Sequence, residues 1–211
     1  METDWAAEHL QTIRTLMERS AVYRRALAPI MVWNGLVGII GGLAGWKLAL
    51  NSGRAFIVFW SVAALFAIVG SFLLVRRQAL KDSEPFWSPP TRRIAQALFP
   101  PLFIGAFLNG YAAYMVSLER GDTAYIGFLL MLFWLFLYGC AANAAAFFMN
   151  RGMKLFGWIF IATGCALVVA ASNDNWPFGL SPHLAMAATF GGLHLAYGIY
   201  LYLTEKGKNA A

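Results

Sequence analysis

The chain has 211 residues, a formal net charge of +6 and a mean hydropathy of +0.60; 60% of its residues are hydrophobic and 12% are charged. Soluble domains carry about 25% charged residues, so a water-soluble globular fold is excluded. The basic excess does not read as a nucleic-acid surface, because no basic motif is interleaved with stacking aromatics.

In chain order, Thr3 to Arg25 predicts an amphipathic cytoplasmic helix, with Leu10, Ile13, Met17 and Ala21 on one face and Thr3 or Asp4 as its cap. It reads as an interfacial helix or a docking element. Its charges, Asp4, Glu8, Arg14, Glu18 and Arg19, do not fit a cleavable signal peptide, so a retained N-terminus is expected. Six apolar stretches follow, roughly Ala26–Leu50, Ala55–Val75, Ile94–Ser117, Tyr125–Met149, Lys154–Ser172 and His183–Leu203. Each approaches the ~20 residues that cross ~30 Å of hydrocarbon. The expectation is an all-α polytopic protein: a cytoplasmic helix over 1–25, a six-helix membrane domain over 26–203 and a cytoplasmic tail over 204–211.

Pro29 should kink or restart the first span. The second loop carries Glu84-Pro85-Phe86-Trp87-Ser88-Pro89-Pro90, which suits an interfacial anchor. Beyond it, Thr91 can cap a short turn before a third helix opened by Pro100 and Pro101, or one kinked helix runs from Ile94. Asn173 to Ser181 should form a structured turn. Six spans permit a three-plus-three inverted repeat, although no matching residue pattern joins the halves.

Basic residues alternate along the loops. Arg14, Arg19, Arg24 and Arg25 precede the first span; Arg76, Arg77, Lys81, Arg92 and Arg93 lie in the second loop; Arg151 and Lys154 lie in the fourth; Lys206 and Lys208 follow the last span. Only Lys47, Arg54 and Arg120 fall on the other side, which predicts both termini in the cytoplasm of a bacterial inner membrane. Arg24, Arg25, Arg76, Arg77, Arg92 and Arg93 are placed to meet anionic lipid headgroups.

Gly35, Gly38, Gly42 and Gly45 share one face of the first span, and Ala187, Gly191, His194 and Gly198 share one face of the last. Small faces of this kind let helix backbones approach closely in lipid, either within the bundle or across a dimer seam.

No Asp, Glu, Lys or Arg falls mid-span, where ion-coupled transport sites place one. The polar residues at depth are Asn34, Asn109, Asn143, Thr163, Tyr111, Tyr138, Tyr197 and His194. Of these, Asn34, Asn143, Thr163 and His194 lie ~10–14 Å from the cytoplasmic ends of their helices at ~1.5 Å per residue, and a single polar layer of these four is expected. It would be either interhelical hydrogen bonding or a small-solute site around His194. A bis-histidine haem is not expected, because His183 and His194 are ~16 Å apart along one helix. Cys140 and Cys165 lack His or acidic partners and CxxC spacing, so no metal, redox centre or cofactor is expected and both should be small buried hydrophobes. No nucleophile elbow, phosphate loop or HExxH assigns a reaction.

Met17-Glu18-Arg19-Ser20, Leu137-Tyr138-Gly139, Phe156-Gly157 and Phe190-Gly191-Gly192-Leu193-His194-Leu195-Ala196-Tyr197-Gly198 resemble a family of small uncharacterised bacterial membrane proteins. Arg24-Arg25 and Pro29 have no place in that pattern. The resemblance implies a six-helix inner-membrane protein without an assigned activity. From the residues themselves the leading expectation is a non-enzymatic membrane module acting through association with itself or another protein; the alternative is a transporter or channel for a small neutral solute, with an integral-membrane enzyme third.

Overall fold

The computed structural model describes residues 21–81, 83, 85–118, 124–149, 151–172 and 181–209. Residues 3–20 of the amphipathic helix expected over Thr3–Arg25 and most of the turn expected over 173–181 lie outside the described residues; residues 21–25, expected to precede the first span, are already part of its helix.

The described elements are helices: α1 (Ala21–Lys47), α2 (Gly53–Lys81), α3 (Pro89–Leu118), α4 (Ala124–Ala145) with a 3-10 turn at Ala146–Phe148, and α5 (Arg151–Ser172). The sixth span is continuous, built from α6 (Pro182–Met186), a π-helical stretch (Ala187–Leu193) and α7 (His194–Asn209). Six of these helices are long and apolar enough to cross a membrane. A spanning helix satisfies its backbone internally, which hydrocarbon requires.

Several boundaries differ from expectation. α1 continues through Pro29 without restarting. α3 begins at Pro89, so Pro100 and Pro101 sit inside it and do not open it. The reason is local: Pro89 and Pro90 occupy the first turn, where amide hydrogens have no helical partner and proline costs nothing. Thr91, expected as a cap, is already helical, and its hydroxyl pairs with that of buried Ser88 at 2.9 Å. Phe86 packs edge-on against Phe72 at 5.1 Å, folding the loop back onto α2.

The helices form two layers of three. α1 lies between α2 and the sixth span, and α4 lies between α3 and α5. Exchanging the first three spans for the last three preserves this neighbour pattern, which is the relation a three-plus-three repeat requires.

Small residues set the closest approaches. A Cβ built on Gly35 would stand 2.7 Å from the Leu195 nitrogen, one on Gly38 2.6 Å from the Gly191 nitrogen, and one on Gly42 2.5 Å from the His183 carbonyl. Gly45 faces the His183 ring, Ala187 touches Gly42, and Gly198 lies against Val32. The two small faces read from the sequence therefore meet inside one chain. A second seam joins α4 to α5, where a Cβ built on Gly139 would stand 2.9 Å from the Gly157 carbonyl and one on Gly157 2.8 Å from the Gly139 carbonyl. α3 packs on α4 by placing Gly105 under the Trp134 ring.

Candidate functional site

One place where the two layers touch is the sixth span, around His194. Its ring is 2% exposed. Nε2 lies 2.6 Å from the Tyr138 hydroxyl of α4, and Nδ1 lies 2.6 Å from the Phe190 carbonyl. A carbonyl can only accept, so Nδ1 carries the proton and donates to Phe190 while Nε2 accepts from Tyr138. Both nitrogens of a neutral imidazole are used.

The bond to Phe190 lies at the end of an unusual stretch of backbone. The backbone from Ala187 to Leu193 is a π-helix that ends at His194, whose amide bonds the Gly191 carbonyl while its side chain takes the Phe190 carbonyl one turn back. Thr189 repeats the device one turn earlier, its hydroxyl donating to the Ala185 carbonyl at 2.7 Å. π-helical turns are rare and concentrate at functional positions.

Aromatic rings close the site. Phe156 stands edge-on to the imidazole at 5.0 Å and Phe160 at 5.6 Å, while Phe190 lies nearly parallel at 6.2 Å. Tyr197 stacks on Phe156 at 4.9 Å. The Tyr197 hydroxyl is buried beside Gly152 and has no hydrogen-bond partner among the described residues. The result is a buried aromatic joint between α4, α5 and the sixth span.

The four residues expected to form one polar layer do not hydrogen-bond to one another. Asn34 accepts from Ser71 of α2 at 3.2 Å, Asn143 donates to the Gly139 carbonyl at 3.0 Å, and Thr163 donates to the Ile159 carbonyl at 2.8 Å. Asn143 and Thr163 find acceptors one turn back on their own helices, which short polar side chains do readily. His194 is away from lipid as expected, yet its interhelical partner is Tyr138. The available signal was reach: a phenol carries its hydroxyl across a helix interface that an Asn does not span. Cys140 and Cys165, expected to be buried, are exposed on the outer surface of the bundle.

Among the described residues no three His, Cys, Asp or Glu gather to hold a metal ion. Fold and site together define a multi-pass, all-helical membrane bundle with a closed aromatic centre. Compared with known proteins, the chain matches no family model, no curated protein and no solved structure.

Proposed function

We propose that this chain is a non-enzymatic integral membrane module that acts by associating with a second copy or another protein, in the manner its resemblance to small bacterial six-helix inner-membrane proteins would allow. The observation that carries the reading is the α2–α3 edge. Only 6% of the apolar window of α2 and 11% of that of α3 are buried, against 50% for α4. At this edge Asn109 donates to Ser61 at 2.9 Å in an exposed hydrogen bond. Asn109 is nine residues from the end of α3, about 13 Å along the helix at ~1.5 Å per residue. Its carbonyl and second amide hydrogen then lie at a depth where lipid offers no partner, and a facing helix does. Beside it Ala106, Gly110, Ala113 and Ser117 form an exposed small-residue stripe, with nothing within 4 Å of a Cβ built on Gly110.

Sedimentation in mild detergent tests this. The wild type should run as a defined oligomer, and Gly110→Leu and Asn109→Leu should shift it to monomer while leaving the melting temperature near that of the wild type. A monomeric wild type would remove the proposal. The solute-transporter reading is favoured by the neighbour pattern of the two halves, and weakened by the closure of both His194 nitrogens. A monomer that retains a bound small molecule would support it.

The proposed setting is a bacterial inner membrane with the basic loops inward. Arg76, Arg77, Lys81, Arg92 and Arg93 are exposed at the adjoining ends of α2 and α3, beside an exposed Trp87. Anionic headgroups are their natural partners, at about 1 kcal/mol per basic residue. A reporter fused to the C-terminus should be active only as a cytoplasmic reporter; activity on the other side would reverse the orientation.

A further inference from the structure

The end of the bundle away from the basic loops is closed by a histidine that the proposed function leaves unused. His183, in the first turn of α6, is 1% exposed. Its Nδ1 accepts from the Trp60 indole N–H of α2 at 3.0 Å, and its Nε2 lies 3.0 Å from the Leu50 carbonyl, to which it donates. Leu50 completes the cap of α1. Its amide bonds the Gly45 carbonyl and the Ala49 amide bonds that of Trp46, with Ala49 in the left-handed region at φ 51°. One neutral ring thus ties together α2, the α1–α2 turn and the start of the sixth span.

We propose that His183 is a proton-operated latch, whose protonation releases the α1–α2 turn and opens this end of the bundle. A neutral imidazole has one donor and one acceptor, whereas imidazolium has two donors. A proton on Nδ1 points at the Trp60 N–H, turning a hydrogen bond into a donor–donor clash. The ring cannot relieve this in place. Gly45 is pressed against it, Phe56 lies at 5.1 Å, Phe59 stands edge-on at 5.8 Å and Trp60 is stacked at 6.2 Å. Among the described residues, the charged or titratable side chains at this end of the packed elements are Lys47 on α1, Arg54 on α2 and Tyr125 on α4, all exposed. None of these supplies a negative charge at neutral pH; Glu119, Asp122 and Asp174 lie outside the described residues. With the basic loops inward, this end faces the exterior, where pH follows the medium.

The test is hydrogen–deuterium exchange of the purified full chain in detergent at pH 7.5 and pH 5.0, corrected for intrinsic exchange rates. Protection of the segment around Leu48 to Phe56 should fall at least about tenfold on acidification, the equivalent of one buried hydrogen bond, while the segment around His194 keeps its protection. His183→Gln can accept from Trp60 and donate to Leu50 without titrating, and should keep its protection at both pH values. Trp60→Phe removes the clashing N–H and should lose less protection than the wild type. Constant wild-type protection overturns the latch, as does an equal fall in His183→Gln. Should that variant not fold, a fall in Trp60→Phe as steep as the wild type's overturns it instead.

Discussion

Replacing Gly38 with alanine is expected to cost about 3 kcal/mol, at the upper end of ordinary overpacking penalties, and to lower the melting midpoint by about 10 °C for a chain of this size. The new methyl would stand 2.6 Å from the Gly191 nitrogen and 2.7 Å from its Cα. Both are backbone atoms, so no rotamer change makes room. α1 and the sixth span must separate, and the contacts at Gly35, Gly42 and Gly198 loosen with them because they share the same two helices. Two controls make the result specific. Gly41→Ala meets the Trp60 ring at 3.7 Å and the Phe59 ring at 3.9 Å, both ordinary contacts, and Gly110→Ala meets nothing within 4 Å; both should melt within a degree or two of the wild type. Thermal unfolding in detergent decides the matter, and a Gly38→Ala protein as stable as Gly41→Ala would show that the seam is not tightly packed.

His194→Ala is expected to cost about 3–5 kcal/mol, the range for deleting a buried ring from a close-packed core. It leaves a cavity among Phe156, Phe160 and Phe190 and strips the Tyr138 hydroxyl of its acceptor. His194→Gln keeps a donor and an acceptor and should lose about half as much. Tyr138→Phe removes the hydroxyl but keeps the ring against Phe160 at 5.0 Å and should cost about 1 kcal/mol, near the measured scale for interhelical hydrogen bonds in membranes. In a double-mutant cycle the His194→Ala and Tyr138→Phe losses should fall short of additivity by a similar amount, since the two residues share one bond. Full additivity would mean that the aromatic packing, and not the hydrogen bond, joins α4 to the sixth span.

Some of this architecture was legible before any helix was placed. The six apolar windows fall where the six long helices fall, because the free energy of a span is close to a sum over its residues and shows in their order alone. Hydropathy misjudged the ends of α2 and α3, which continue as helix to Lys81 and from Pro89. A helix does not stop where hydrocarbon stops; backbone hydrogen bonding carries it on among Arg76, Arg77 and Lys81. The glycine spacing in the first span likewise marked a face built for close approach.

What the sequence by itself determined was therefore the number of spans, their helical state and which faces are small enough to admit a neighbour. Which neighbour arrives was decided only by the tertiary structure. Gly38 meets Gly191, Tyr138 and not Asn34 meets His194, and Trp60 and Leu50 share the two nitrogens of His183. The physical reason is that crossing a membrane is a property of one segment and follows from its composition. A contact between helices is a property of a pair, and it depends on rotation about each axis, side-chain reach and the polar groups already satisfied within each helix. Asn143 and Thr163 were removed from the expected layer by carbonyls on their own helices, before any other helix could compete for them.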